Sequence, residues 1–477
     1  MALQLTINTT ASPVGWEAKG SRTWYRELDA MERLLYFFKH INPNLTQWTI
    51  SICLKLPSSF QYSVEEIKAA WISLRLENPV IACTIENEGT GMQYQVLTKD
   101  ELAEWAEETV HIDRSGRTSR EMVVSTVRPK SSTLYFFPGP VREVAFHVRH
   151  ELCDGVGLLI FANKFFQHLR KNRELGAHRN YSTDTIGDEI GRLPPPTISG
   201  MSSADLLSIS PEMIETANRV VESYCDRTAL SLKTRSGGIE KAIPSLPQGY
   251  VDHQFSKEES TAILNACRVN GITLAAAIWA AQAKTALQQS GKAAGHLTNF
   301  VPINLRAQDP SLISLENTII LAFTHLPVSK NSDFIDWAKH TQQTLARWRH
   351  DKDSIDIFKQ VCKAMEEKVD AGVAYPAQFF LSNIGISDNY IEEPVEDVWI
   401  NAMVSTASSG VFIVLTTHGK VRFTACYNRA FFDEGQIESY MEMVVGHLKK
   451  GLGLEGNSRK KILTSEYRVW PHPVCKL

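Results

Sequence analysis

What the chain lacks narrows the field before any motif is read. Its eight cysteines, at 53, 83, 153, 225, 267, 362, 426 and 475, include no close pair, which sets aside the usual zinc and thiol-exchange arrangements and leaves them as reduced, mostly buried thiols. No metal site is expected. Met1–Lys19 has no basic stretch followed by an apolar run, and no segment reaches the ~18 uninterrupted apolar residues of a membrane span, so the chain reads as soluble and cytoplasmic. An excess of either charge is also missing: 50 Lys+Arg against 53 Asp+Glu give a formal net charge of −3. That balance points to neither nucleic acid nor a membrane surface as partner. No internal repeat is found, and runs such as Arg170–Arg173 and Arg459–Lys461 read as solvated faces or ends.

What is there is the material of a large packed interior. The 477 residues are 43% hydrophobic and 22% charged, which suits two or three domain-sized units. Asp29 and Glu32 form a candidate capping box before Leu34, Leu35, Phe37 and Phe38. Trp48, Ile50, Ile52, Leu54 and Leu56 then alternate with polar or small residues, the pattern of a half-buried strand. Ser63 and Glu66 cap a helix that Asn78-Pro79 stops. Extended segments are expected near Val80–Ile85, Tyr94–Leu97 and Thr133–Phe137. The alternation of strand and helix gives an α/β or mixed α+β unit.

Between Tyr181 and Pro211, a triple proline at Pro194–Pro196, Gly200 and repeated serines read as a linker that cannot order itself alone. Lys233–Gly249 is a second irregular stretch, and Pro211–Leu230 between them reads as a helix crossing from one half to the other. The second half restarts with a strand at Tyr250–Phe255, a helix capped by Ser256 and Glu259, and an alanine-rich helix at Leu274–Leu287. Strands are expected at Asn299–Arg306, Thr318–Leu326, Gln378–Asn383 and Trp399–Val404. A hairpin at Val411–Thr416 and Val421–Tyr427 and a last helix at Glu434–Leu448 follow.

The stretch that carries chemistry is Val144–Gly157. Val144, Phe146, Val148 and His150 fall on one face of an extended strand, with His147 and Arg149 on the other. Asp154, Gly155 and Gly157 then supply turn chemistry before the apolar run Leu158–Phe166 starts a helix. His150 is thus held at a strand end over a tight turn. His147 points away, and Cys153 has no separate activating arrangement, so neither is a catalytic candidate.

His150, Asp154 and Gly155 match the His-x-x-x-Asp-Gly motif of the chloramphenicol acetyltransferase-like acyltransferases, which include the plant BAHD enzymes, the trichothecene acetyltransferases and peptide-synthetase condensation domains. Gly271-Ile272-Thr273-Leu274, Val301–Arg306 and Leu381–Gly385 resemble further segments of that superfamily, in its order along the chain. In overall character the chain is similar to fungal secondary-metabolism acyltransferases. It departs in lacking the Asp-Phe-Gly-Trp-Gly element of the plant branch, and in placing Arg149 where condensation domains carry the first of two histidines.

The resemblance implies two chloramphenicol acetyltransferase-like domains, 1–180 with the motif and 250–477, joined by a crossover at 181–249, with the active centre in a channel between them. It implies His150 as general base, with Asp154 turned away from substrate and paired to Arg306 as structural support, and Gly155 giving close backbone approach. Ser382, Asn383 or a backbone N–H would stabilise the oxyanion. An imidazole suits the base because its ordinary pKa, about 6.5, lies near neutrality. The implied activity is acyl transfer from acyl-CoA, a co-substrate rather than a bound cofactor, to a hydroxyl of a small hydrophobic metabolite, by direct attack in a monomer. Two other readings stay open: a condensation-like cyclase or condensing enzyme fed by an acyl carrier domain, and a non-catalytic ligand-binding member of the fold. The final Cys475-Lys476-Leu477 resembles a peroxisomal address, the alternative localisation.

Overall fold

The computed structural model describes residues 13–40, 49–86, 89–125, 129–175, 186–196, 209–226, 228–235, 248–307, 317–370, 376–403 and 409–454. Cys475–Leu477 and most of the two expected irregular stretches lie outside these. Local chemistry sets the element starts. The three expected capping boxes all form: Asp29 with Glu32 ahead of Ala30–His40, Ser63 with Glu66 ahead of Val64–Glu77, and Ser256 with Glu259 ahead of Lys257–Val269. The expected hairpin runs from Gly410–Thr417 into Lys420–Asn428, and its two turn residues, His418 (φ 52°) and Gly419 (φ 73°), are both left-handed. Such a turn matches the twist of the paired strands.

Two sheets organise the molecule. In the first half the strand order is Asp397–Met403, Thr49–Leu56, Arg142–Arg149, Thr133–Phe137, Val110–Ile112. In the second it is Phe379–Ile386, Gly410–Thr417, Lys420–Asn428, Gln248–Gln254. A long antiparallel pair, Ala294–Asn304 with Ile319–Ser329, packs beside Phe379–Ile386. The halves are not independent: Asp397–Met403, late in the chain, hydrogen-bonds along Thr49–Leu56 from Asp397 opposite Lys55 to Met403 opposite Thr49.

The helices Val64–Glu77 and Gly155–Glu174 cover the first sheet. Trp71 stacks on Trp105 at 5.6 Å, and Phe161 and Phe165 meet Phe146 edge-on at 4.9 and 5.2 Å. Rings buried this fully contribute about 2–3 kcal/mol each, which makes the strand leading to His150 a rigid support. Six of the seven described cysteines are buried, Cys225 is partly so, and none of the seven forms a disulfide. Among the described residues no single helix is long and apolar enough to cross a membrane.

Several expectations need correction. Thr49–Leu56 is buried on both faces, not one: Ser51 and Cys53 are as enclosed as Ile52 and Leu54. It is a central strand, and Met122, Val123, Phe137, Ala145 and Trp399 cover its second face around Cys53. The segment expected to extend over Val80–Ile85 begins as a single 3₁₀ turn, Pro79–Ala82, because Pro79 presets a turn conformation. Part of the expected linker is ordered. Ile190 and Leu193 are buried, Tyr94 donates to Glu189 (3.2 Å), and Trp16 Nε1 donates to the Pro194 carbonyl (2.7 Å). The helix after it, Pro211–Tyr224, packs on Ser354–Asp370 and the long strand pair.

Candidate active site

The motif strand Arg142–Arg149 delivers His150 one residue beyond its last hydrogen-bonded position. The turn that follows ends at Asp154, whose carboxylate accepts from the Gly157 N–H (2.7 Å) and so caps the helix Gly155–Glu174. The same carboxylate reaches into the second half. Arg306 Nη1 lies 2.8 Å from Oδ2 and 3.1 Å from Oδ1, and the Thr318 N–H donates to Oδ2 at 2.8 Å. Both side chains of this pair are almost wholly buried. Arg306 occupies a 3₁₀ turn, Leu305–Ala307, directly after the strand Ala294–Asn304, and its own N–H is held by the Asn304 side chain at 3.0 Å. Asp154 is therefore a helix cap and an inter-half clamp at once.

The cavity over this turn encloses about 910 Å³ of empty space, open solvent at its mouth included. Its walls come from both halves: Met31, Leu34, Leu35 and Ile50 from the first, Phe300, Leu321, Phe380, Val411 and Ile413 from the second, and Ile400 and Ala402 from the crossing strand. Polar side chains reach it at His150, Asp154, Asn304, Ser382 and Asn383. The only charge among these, on Asp154, is matched by Arg306. The space is thus apolar and electrostatically quiet.

His150 is half-buried. Burial lowers its pKa from the ordinary value, while hydrogen bonding to the backbone carbonyls of His150 and Cys153 and the charges of Asp154 and Glu151 act in the opposite direction. The net direction keeps the ring neutral near pH 7, the state a base needs. His147, on the opposite strand face, is fully buried and exchanges a 2.7 Å hydrogen bond with Ser51. Arg149 faces Glu151 at 3.4 Å.

Gly155 does allow a close approach, and the occupant is protein: an added Cβ would meet Ile384 Cδ1 at 2.2 Å. Ile384 is aimed there by an irregularity in the strand Phe379–Ile386, where pairing shifts between Asn383 and Gly385 and Gly385 has φ 98°. Ser382 and Asn383 line the cavity from this strand, and the Asn383 side-chain Oδ1 accepts from the Gly385 N–H at 3.2 Å. Sequence reasoning missed Asn304 and Asn317. Asn304 lies within the Val301–Arg306 segment already singled out; Asn317, whose amide donates to the His150 carbonyl at 2.6 Å, carries no sequence signal.

Two halves joined by a strand of the second in the sheet of the first, with a histidine at the cavity in their seam, make the chloramphenicol acetyltransferase-like fold. No protein-family profile matches the chain. It is 22% identical to the O-acetyltransferase pigM of Monascus ruber over 94% of this chain and 90% of that one, and 23% identical to the acetyltransferase pigO of the same organism over 78% and 82%. A protein of Epichloe uncinata named loline biosynthesis cluster 1 transcription factor lolU1 is 23% identical over 93% and 98%. Among solved structures, the trichothecene 15-O-acetyltransferase TRI3 of Fusarium sporotrichioides superposes with a TM-score of 0.78 at 16% identity, covering 92% of this chain and 98% of that one. The first condensation domain of the CDA synthetase gives 0.63 at 12% identity, covering 90% and 96%.

Proposed function

We propose that the chain transfers an acyl group from acyl-CoA to a hydroxyl of a small, uncharged, apolar metabolite, with His150 as general base. The observation that carries this is the apolar cavity between the halves into which a neutral imidazole is presented. As the acceptor oxygen forms its bond to the thioester carbonyl carbon, its proton passes to His150. The tetrahedral oxyanion then collapses, the C–S bond breaks, and the leaving thiolate takes the proton back. No covalent enzyme intermediate is required. Ser382 is the side chain proposed to donate to the oxyanion; Asn383 supports the strand from which it projects.

The electrostatics favour a hydroxyl over an amine. A protonated amine entering this space would meet no unpaired carboxylate, and desolvating it would cost several kcal/mol. The named acetyltransferases of Monascus ruber and the TRI3 structure support the same chemistry in fungal secondary metabolism. The likeness to a condensation domain favours a second reading, in which a carrier-bound thioester replaces CoA.

The test is consumption of acetyl-CoA and longer acyl-CoAs by purified protein with panels of apolar alcohols and amines, beside a His150→Ala protein. Donor-dependent ester formation lost in the variant supports the proposal. Equal behaviour of the two proteins removes it, and turnover only with a thioester on a carrier domain selects the second reading.

A further inference from the structure

The strand Ala294–Asn304 turns one face to the cavity. Phe300, Pro302 and Asn304, at alternate positions, all line it, and so do Leu321 and Ile319, paired opposite Pro302 and Asn304. Among these Asn304 alone carries a polar side chain, and its amide has a fixed orientation. Oδ1 accepts from the Arg306 main-chain N–H at 3.0 Å and faces Arg306 Nη1 at 3.4 Å. Turning the amide over would set Nδ2 against two donors, so its partners decide which atom is oxygen. With Oδ1 turned back to Arg306, the polar group left on the cavity side is Nδ2, and it can only donate.

Arg306 does more than orient this amide. The same Nη1 lies 2.8 Å from Asp154 Oδ2, so a chain of hydrogen bonds runs from the buried carboxylate through the guanidinium to Asn304 Oδ1. A cation at the oxygen of an amide draws electron density from its nitrogen, and hydrogen bonds in such a chain strengthen one another. The Nδ2 hydrogens are therefore better donors than those of a free amide, and they are held in place before any charge forms.

The proposed reaction builds one new negative charge, on the thioester oxygen, as the acceptor's proton passes to His150, which lines the same cavity. We infer that Asn304 Nδ2 donates to that oxyanion, alongside the Ser382 hydroxyl from the neighbouring strand, with Arg306 orienting and polarising it. The oxygen takes up the carbonyl π pair as the acceptor bonds to carbon and returns it as the C–S pair leaves with sulfur. The amide keeps its protons throughout. The inference rests on acyl transfer with His150 as base and names a group that meets the charge.

The test uses full-length protein and two probes: acetyl-CoA with the best apolar alcohol of the panel, and the stable ketone analogue of acetyl-CoA in which a methylene replaces the thioester sulfur, ¹³C-labelled at the carbonyl. Asn304→Asp is the decisive variant, because it keeps the size of the side chain and an oxygen for the Arg306 N–H but replaces the donor with an acceptor. Its kcat is expected to fall roughly 100- to 1,000-fold with both KM values nearly constant, the size found for one oxyanion donor. The ¹³C signal of the bound ketone is expected downfield of its free position in the wild type and back toward that position in the variant. Asn304→Ala serves should the added carboxylate prevent folding, with the same expectations. An asparagine needed only to hold the Arg306 N–H would be replaced by the aspartate, so near-wild-type kcat or an unmoved ¹³C signal in Asn304→Asp overturns the inference and leaves acyl transfer standing. A raised KM with kcat unchanged assigns the amide to substrate binding and overturns it as well. A ketone that binds none of the proteins removes CoA as the donor, and the inference then falls with the proposed function.

Discussion

Removing the guanidinium of Arg306 tests whether the clamp between the halves is a stabilising device. The Asp154 carboxylate is buried and accepts from Arg306, from the Thr318 N–H and from the Gly157 N–H. In Arg306→Met the carboxylate stays buried and keeps two backbone donors but loses its counter-charge. Stranding one member of a buried pair costs about 3–5 kcal/mol. Hydrogen bonds from neutral donors to a charged acceptor offset part of this, about 1.5–3 kcal/mol each, but they are already present in the wild type. The expected loss is therefore near 3 kcal/mol. Asp154→Asn in the same background removes the stranded charge and retains an oxygen for the Gly157 N–H, so the double variant should be more stable than the sum of the singles by about 1–3 kcal/mol. Urea unfolding of the four proteins, followed by tryptophan fluorescence, closes the cycle. A loss below about 1 kcal/mol in Arg306→Met, or strict additivity, refutes the reasoning.

Three further outcomes follow from the geometry. Gly155→Ala puts a methyl 2.2 Å from Ile384 Cδ1 and should destabilise by about 1–3 kcal/mol, with most of the loss recovered in Gly155→Ala/Ile384→Ala; an unchanged melting curve for the single variant contradicts the close approach. Because burial lowers the His150 pKa, the acid limb of kcat/KM should fall below the ordinary value of 6.5, with full activity retained above it; a limb at or above 6.5 argues against this imidazole as the base. His253 packs edge-on against Phe255, and burial, reinforced by Lys449 and opposed by Glu259, takes its pKa from 6.5 to about 4. Above pH 6.5 the ring is neutral folded and unfolded, so nothing is lost. As pH falls from 6.5 toward 4 the unfolded chain takes up the proton first, and stability drops by up to about 3 kcal/mol. His253→Phe should flatten that slope in urea titrations at pH 7 and pH 4.5.

The parts legible in the sequence were those written by local rules. Capping boxes at Asp29, Ser63 and Ser256, the turn residues His418-Gly419 and the alternation of Val144, Phe146 and Val148 each state their conformation within a few positions. The pairing of Asp154 with Arg306 came from resemblance and is present in the structure. Two helices that carried equally local signals were passed over: Lys99–Thr109 opens with a Thr98–Glu101 capping box, and Phe334–His350 opens with Asp333 as cap. What was not legible depends on tertiary neighbours. The polar residues of Thr49–Leu56 suggested a wet face because nothing nearby in sequence announces that Met122 and Trp399 cover it. The occupant of the space above Gly155, and the amide beneath His150, come from strands and turns more than 150 residues away.

The strand Asp397–Met403 constrains how anything reaches the histidine. Its pairing with Thr49–Leu56 sews the later part of the chain into the earlier sheet, so the molecule cannot gape like a jaw without tearing a seam of backbone hydrogen bonds. Reactants must thread in from the rim, and any gate has to be made of side chains or short loops. The same stitch dictates where recombination between homologues can succeed: a chimera cut cleanly at the mid-chain crossover would pair a native sheet with a foreign ribbon. One that keeps Asp397–Met403 with its host sheet preserves the wall that Ile400 and Ala402 contribute to the cavity.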